Sequence, residues 1–453
     1  MRLKRFWAAE VHGYINLDIS FNSKLNFLIG PNGSGKSTAL ALMEAMLTPS
    51  IRELALTEFS EARLVIEDSN EERFIWVVRG DEDIVVTVSW IEEPLIIRRL
   101  DKKKRELLAS DQRAADDYFS KLSFEYSSSA VISAISKISA PIFLGIERQQ
   151  KNRAIDDELM SDGDIYRLDS RKYAQAKRFL HGNLSPGLLD SQMLIQEGYR
   201  SALKRVDSDQ NKLREEFLLA SFRYSDLNSD IKQGMYFGSI TDEEMLRLRE
   251  SKNEITKALI NLGISEDRVD HKVGVFYSKL THLTDRLDRM DEDSGADDTL
   301  FEFLMNRGQI DRLLDLISLV QNYKQETDKT FEKVNNFRSQ MNWFFNDSGK
   351  RFSLDQVGRV RINRPTGSVM PLDALSSGER QLFIIFSHVF FNAFGSRSKV
   401  FVVDEPELSL HLRWQENLVD RIQSVLPEVQ LVFATHSPDI VGGRDECCIE
   451  VSG

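Results

Sequence analysis

Residues 30–38 read Gly-Pro-Asn-Gly-Ser-Gly-Lys-Ser-Thr, which fits the pattern G-x-x-x-x-G-K-S/T. No other stretch of the chain narrows its possible folds as far. The glycines let the backbone wrap closely and aim N–H groups at β- and γ-phosphates. Lys36 adds a point charge, and the Ser37 hydroxyl is placed to ligate Mg²⁺. The flanks supply the context that such a loop needs. An apolar run, Leu25–Ile29, reads as a strand before it, and a helix-forming run, Ala39–Met46, follows. The segment Asn32, Gly33, Ser34, Gly35, Lys36, Ser37 and Thr38 is therefore the candidate phosphate cradle of an α/β domain.

A second half of such a site is present downstream. Val400–Val403 is an uninterrupted apolar run of the kind buried on both faces of a parallel sheet, and it ends in Asp404-Glu405. An aspartate there can hold Mg²⁺ through water, and the adjacent glutamate can orient or deprotonate an attacking water. Between the two halves, Leu375-Ser376-Ser377-Gly378-Glu379-Arg380-Gln381 opens a long helix. Free N–H groups at that helix start make an anion site. The plainer alternative is an N-cap supplied by Ser376 or Ser377, with Arg380 in solvent.

The order of these motifs, closed by Asp404-Glu405-Pro406-Glu407-Leu408-Ser409-Leu410-His411 and Ala434-Thr435-His436-Ser437-Pro438, resembles the ABC-type ATPase head of the SMC, Rad50, RecF and OLD group. The resemblance covers about residues 1–150 and 350–440. It implies an α/β fold: an ABC-type P-loop NTPase head with an N-terminal antiparallel β lobe, split by a helical or coiled-coil insertion. It further implies ATPase activity with ATP and Mg²⁺. Two heads would dimerise, or form a higher oligomer, around composite ATP sites. Ser376 and Gly378 would then contact the γ-phosphate held by another subunit. Asp404 would serve the metal, Glu405 would be the catalytic glutamate, Ser409-Leu410-His411 the D-loop, and His436 the switch histidine. Ile142–Gln150 resembles the strand leading to a Q-loop, with Gln149 or Gln150 as the Mg²⁺- and water-contacting glutamine. Ser377 departs from the small Gly or Ala usual at its place in the signature.

The rest of the chain is organised around this head. The first hundred residues carry short β-rich runs: Ala62, Leu64 and Ile66 alternate with charged neighbours, and Phe74–Val78, Ile84–Val88 and Leu95–Ile97 follow. From about Asn152 the texture becomes helical. Ile195, Tyr199, Ala202, Val206, Leu213, Phe217, Ala220, Tyr224 and Leu227 share one stripe, and Ile310, Leu313, Ile317, Val320, Phe331, Val334 and Met341 another. Steps of three and four suit antiparallel coiled-coil packing or an ordinary helical subdomain, and both stay open. β patterning returns after Gly349 with Arg351–Leu354 and Val357–Ile362, then Leu431–Ala434. The expected division is residues 1–150, 151–348 and 349–453.

Composition sets limits. The net charge of −12 excludes a globally basic nucleic-acid coat. The two cysteines, Cys447 and Cys448, are neighbours; they cannot form a zinc hook, and the low count fits a reducing compartment. No secretory leader is expected, and the longest apolar stretch, Leu382–Phe394, is too short and too interrupted to cross a bilayer, so a cytoplasmic chain without membrane contact is the expectation. The tetrad Lys102-Lys103-Lys104-Arg105 reads as a solvated hairpin tip before a phosphate-backbone contact. Arg171, Lys172, Lys177 and Arg178 could line a DNA groove, although helical charge usually faces solvent. Trp343, Phe344 and Phe345 read as core. His271 and His388 lack partners at metal-ligand spacing.

After His436 the sequence reaches Gly453 within a few turns of chain, so the nuclease domain of OLD proteins is not expected. A compact OLD-like ATPase of this kind resembles the stand-alone ATPase subunits of bacterial anti-phage systems of the PARIS and Septu/retron types. That resemblance implies a separately encoded effector such as a nuclease, and possible control by a phage-derived trigger. Two alternatives remain: a RecF- or Rad50-like DNA repair ATPase, and a scaffold that holds ATP with little turnover while sequestering a toxic effector.

Overall fold

A computed structural model of the chain describes residues 1–145, 186–220, 247, 250–261, 264–288, 296–392 and 399–451. Its fourteen described strands are β1 (Arg2–Val11), β2 (Ile15–Ser20), β3 (Leu25–Ile29), β4 (Glu61–Asp68), β5 (Glu71–Arg79), β6 (Asp83–Val88), β7 (Leu95–Arg98), β8 (Ile142–Leu144), β9 (Arg351–Leu354), β10 (Val360–Asn363), β11 (Val369–Met370), β12 (Val400–Asp404), β13 (Gln430–Ala434) and β14 (Cys448–Glu450). They form three sheets. One is six-stranded in the order β2-β1-β4-β5-β6-β7, one three-stranded in the order β11-β10-β9, and one five-stranded in the order β14-β3-β13-β12-β8. Every pairing of the five-stranded sheet is parallel, and every pairing of the other two is antiparallel.

The two large sheets differ as their sequences do. In β4 the alternating Ala62, Leu64 and Ile66 are fully buried and their neighbours are not, as suits a sheet with one wet face. In β12 and β13 the apolar run is unbroken. Val400, Phe401, Leu431, Val432 and Phe433 are all fully buried, and Phe27 of β3 stacks on Phe433 at a centroid distance of 6.0 Å. Gln430 joins the sheets. Its Nε2 donates to the carbonyls of Leu3 at 2.9 Å and Asn22 at 2.8 Å, and its Oε1 accepts the Leu3 N–H at 2.8 Å.

The chain divides into two compact units, residues 1–198 with 334–453, and residues 199–333. The second unit is helical in its described part. Ile255, Tyr277, Leu280, Leu283, Ile310 and Ile317 form a small core drawn from the helices Lys252–Asn261, Glu266–Asp288 and Ala296–Phe345. Tyr199 meets Phe331 at 5.8 Å. Tyr224 and Leu227 lie outside the described residues. In the first unit, helix Ser377–Asn392 buries Phe383, Phe386 and Phe390 against Phe337, Phe344 and Phe352. Phe344 and Phe345 are fully buried, while half-buried Trp343 carries the guanidinium of Arg421 over its ring at 3.6 Å. No helix among the described residues is long and apolar enough to cross a membrane.

Two local expectations are corrected, and with them one detail of the N-cap alternative. The basic tetrad is not a hairpin tip. Asp101 accepts the Lys104 N–H at 2.7 Å and caps a helix, Lys102–Ser110, which the tetrad opens. Lys104 then sits 4.0 Å from the Tyr118 ring centroid, and Arg105 pairs with Glu58 at 3.1 Å. The strand expected at Val357–Ile362 begins only at Val360, because the Asp355 carboxylate takes the N–H groups of Val357 and Arg359 and folds the preceding residues into a turn. Arg380 is not left to solvent but donates to the carbonyls of Leu375, at 2.8 Å, and Asp373.

Candidate functional site

The phosphate loop joins β3 to helix Lys36–Leu47. Gly35 holds the turn in a left-handed conformation, φ 92°, which a side chain would strain. Lys36 is almost fully buried under the loop. Its Nζ donates to the carbonyls of Gly30 at 2.8 Å and Pro31 at 3.0 Å. Burial pulls its pKa below the usual lysine value, against the opposing pull of Asp404, Glu405 and Glu407. Ser34 lies buried behind the loop, 3.5 Å from Lys36 Nζ.

Strands β3, β13 and β12 run in parallel and end at the same edge of the sheet, where ligands bind in open α/β folds. That edge is a cleft of about 400 Å³. Asn32, Gly33, Gly35, Lys36, Ser37 and Thr38 line one side, and Asp404, Glu405 and His436 the other. Ser37 Oγ lies 3.3 Å from Asp404 Oδ1. A hydroxyl and a carboxylate at this spacing, with room for phosphate oxygens and water, are the hard oxygen donors that Mg²⁺ takes. No cluster of three or more His, Cys, Asp or Glu residues able to hold a metal occurs among the described residues.

Glu405 adopts a left-handed backbone, φ 51°, unusual for a residue other than glycine. Its N–H donates to the Ala434 carbonyl at 2.8 Å. From the other side, Gln381 Nε2 donates to the carbonyls of Pro406 at 2.9 Å and Glu405 at 3.4 Å. The strained residue is thus held by both a strand and a helix.

The signature segment has a separate geometry. Ser376 caps helix Ser377–Asn392 in a reciprocal box: its Oγ accepts the Glu379 N–H at 3.3 Å, and its own N–H donates to Glu379 Oε2 at 2.8 Å. Glu379 is buried but fully partnered, with Lys350 Nζ at 2.7 and 2.8 Å and the Ser348 hydroxyl at 3.0 Å. Burial alone would raise its pKa; Lys350, the Ser376 N–H and Ser348 together bring it below the usual carboxylate value. Ser376 and Ser377 face solvent, Gly378 is buried against Ser409, and none of the three is among the described residues that line the cleft. His411 is the N-cap residue of helix Leu412–Gln423, Leu410 is buried, and Ser409 has a left-handed φ of 65°. Gln149 and Gln150 lie outside the described residues, as do Arg171, Lys172, Lys177 and Arg178.

The structure adds residues that the motifs did not single out. The turn between β1 and β2 brings His12, Tyr14 and Ile15 to the cleft, and His12 Nε2 lies 3.2 Å from Thr38 Oγ1. Glu407 and Gln381 brace the far side from within motifs already quoted. Their partners lie 24 to 29 positions away in the chain, so only the acidic or amide residue type hinted at a task.

Comparison with known proteins gives three findings. The model of the AAA ATPase domain family matches residues 12–441. A curated relative, the "Retron Vc95 probable ATPase" of Vibrio cholerae serotype O1 biovar El Tor, is 25% identical over a match that covers 31% of this chain and 33% of that protein. The chain thus spans about a third of that relative's length. Among solved structures, the Smc head domain with an extended coiled coil from Pyrococcus furiosus is similar with a TM-score of 0.41 and 13% identity, covering 97% of this chain and 91% of that one. The SMC head domain from Thermotoga maritima follows at 0.37 and 11%, with 99% and 92% coverage.

Proposed function

The chain belongs to the AAA ATPase domain family, and from that premise we propose that it binds and hydrolyses ATP as a switch whose heads associate in pairs or higher oligomers. The loop N–H groups and Lys36 receive the β- and γ-phosphates, Lys36 leaving the carbonyls of Gly30 and Pro31 to do so. Ser37 and Asp404 would hold Mg²⁺, which would supply neutralisation of the phosphate charge. Glu405 orients the attacking water and accepts its proton, and His436 reads the γ-phosphate from the facing wall. Gln149 or Gln150 would complete the metal and water contacts.

The observation that carries the oligomeric half of this reading is a separation. Ser376 and Ser377 are exposed at a helix start, away from the described lining of their own cleft. The capping box takes the N–H groups of Ser376 and Glu379, so what this exposed start offers a ligand from elsewhere is its serine hydroxyls and the N–H groups between, those of Ser377 and Gly378. A second copy supplies one: Ser376 and Gly378 of each head would close over the γ-phosphate held by the other.

The test uses light scattering on purified full-length variants. Glu405→Gln retains the cleft but removes the base, so ATP should drive it into a stable larger species. Lys36→Ala should bind no ATP and stay unchanged. Identical size distributions of Glu405→Gln with and without ATP would refute the switch.

The likeness to a retron ATPase supports a place in bacterial anti-phage defence. There the nucleotide state would control a separately encoded effector, for which a nuclease is the first candidate, with a phage-derived trigger and without membrane contact. Co-expression with the product of the adjacent gene, followed by release on ATP hydrolysis, is the corresponding check.

A further inference from the structure

The acidic motif after β12 carries a second glutamate, Glu407, which the nucleotide reading leaves without a task. It is not among the described residues that line the cleft. Its carboxylate faces the corner where β13 leaves the sheet. Oε2 accepts the Thr435 hydroxyl at 2.8 Å, and Oε1 accepts the backbone N–H of His436 at 2.7 Å. Both oxygens of one carboxylate are thus engaged by two consecutive residues.

The ladder between β3 and β13 explains why this matters. Its last bond runs from the Thr435 N–H to the Leu28 carbonyl at 3.1 Å. The next N–H, that of His436, lies past the end of the sheet and is taken by Glu407 instead. Thr435 is buried, whereas His436 is exposed and lines the cleft, so the chain turns from core to cleft within one peptide unit. The orientation of that unit decides where the imidazole points. Bonds to an ionised carboxylate are roughly twice as strong as neutral ones. The same corner is braced once more: the Ser437 hydroxyl donates to Gln415 Oε1 at 2.7 Å, and Gln415 Nε2 to the Leu410 carbonyl at 2.8 Å.

We propose that Glu407 is the positioning residue of His436: it acts on hydrolysis through the imidazole, without touching nucleotide. The proposal rests on the reading of His436 as the γ-phosphate sensor. Glu405 and Glu407 divide the work of the motif, the first lining the cleft and the second holding the backbone of His436 from behind it.

The test compares full-length wild type, Glu407→Ala, Glu407→Gln, His436→Ala and the double variant Glu407→Ala/His436→Ala. Steady-state hydrolysis is measured together with the ring signals of His436 in NMR, assigned by their loss in His436→Ala. Glu407→Ala should lower kcat about tenfold, a modest share of what a positioned catalytic group supplies, with KM for ATP within about twofold. Glu407→Gln, which keeps one acceptor, should fall between. The double variant should be no slower than His436→Ala alone, and the His436 ring signals should move in Glu407→Ala. If that variant fails to fold, Glu407→Gln, which keeps the side-chain volume, takes its place in every comparison, the double variant included. Multiplying effects in the double variant would overturn the proposal, as would ring signals that overlay those of wild type. Full activity of His436→Ala would instead sink the sensor reading, and the ring signals alone would then decide whether Glu407 sets the imidazole.

Discussion

Gly378 packs directly on Ser409: a methyl group on its Cα would overlap the Ser409 carbonyl oxygen and come within 3.3 Å of the Trp414 ring. Ser409 itself holds a left-handed backbone, so the carbonyl has little freedom to retreat. The start of the signature helix and the loop after Glu405 are therefore one rigid piece. Gln381, bonded to the carbonyls of Glu405 and Pro406, fastens the same two segments one turn further along the helix.

Gly378→Ala tests that contact through the sign of its effect. In the first turn of an unencumbered helix the substitution should stabilise, since alanine is favoured over glycine by up to ~1 kcal/mol. Here overlap should win and cost about 1–3 kcal/mol, read as a lower midpoint in urea. ATP binding to the isolated head should persist, because the cleft is lined elsewhere, while ATP-driven association of the Glu405→Gln background should be lost.

What could be read from the residues alone follows from how local each feature is. The strand, loop and helix from Leu25 to Leu47 are contiguous, and β12 and β13 announce themselves by apolar runs buried on both faces. The basic tetrad misled because Asp101, one residue upstream, turns four cations into the first turn of a helix. The side of the cleft formed by His12 and Tyr14 depends on a hairpin with a bulge between Ala8 and Val11, which alternation alone does not reveal. The partnership of Glu379 with Lys350 spans 29 positions and that of Gln430 with Leu3 spans 427. Such contacts exist only once the chain has folded.

Tyr14 stands at the cleft with 72% of its surface exposed, beside His12. A large exposed ring at the mouth of the proposed phosphate site suits stacking on a nucleotide base, an interaction of about 0.5–1.5 kcal/mol. Tyr14→Ala should therefore weaken ATP binding by about two- to tenfold, measured by calorimetry, and leave binding of inorganic tripolyphosphate unchanged. An equal loss for both ligands would show that the ring acts on the phosphates or on the fold.

Gln430 is fully buried and satisfies three backbone groups, the N–H and carbonyl of Leu3 and the carbonyl of Asn22. Leucine has a similar volume but no hydrogen-bonding atoms. Gln430→Leu should leave those groups buried without partners, at about 1–3 kcal/mol each when unrelieved. The expected loss is about 3 kcal/mol or more in urea unfolding, with an unchanged slope. A loss under about 1 kcal/mol would mean that water or a backbone shift replaces the amide.

Glu379 makes stability depend on pH in a direction that can be worked out. Its folded pKa lies below the ordinary carboxylate value, held there by Lys350, the Ser376 N–H and Ser348 against the effect of burial. A carboxylate of this kind binds its proton more readily unfolded than folded. Its contribution is therefore fully present above the unfolded value, about 4.3, and is lost as pH falls through the folded one. Glu379→Gln keeps the reciprocal cap, since glutamine serves at the same position, but cannot titrate. The stability difference between wild type and this variant should be constant from neutral pH down to about pH 5 and should then fall, in wild type's disfavour, on further acidification. Thermal unfolding of both proteins across that range measures it. A difference that stays flat into the acid limb would mean that Lys350 does not hold the carboxylate ionised. The Ser376 cap would then be a neutral hydrogen-bond exchange, indifferent to the charge beneath it.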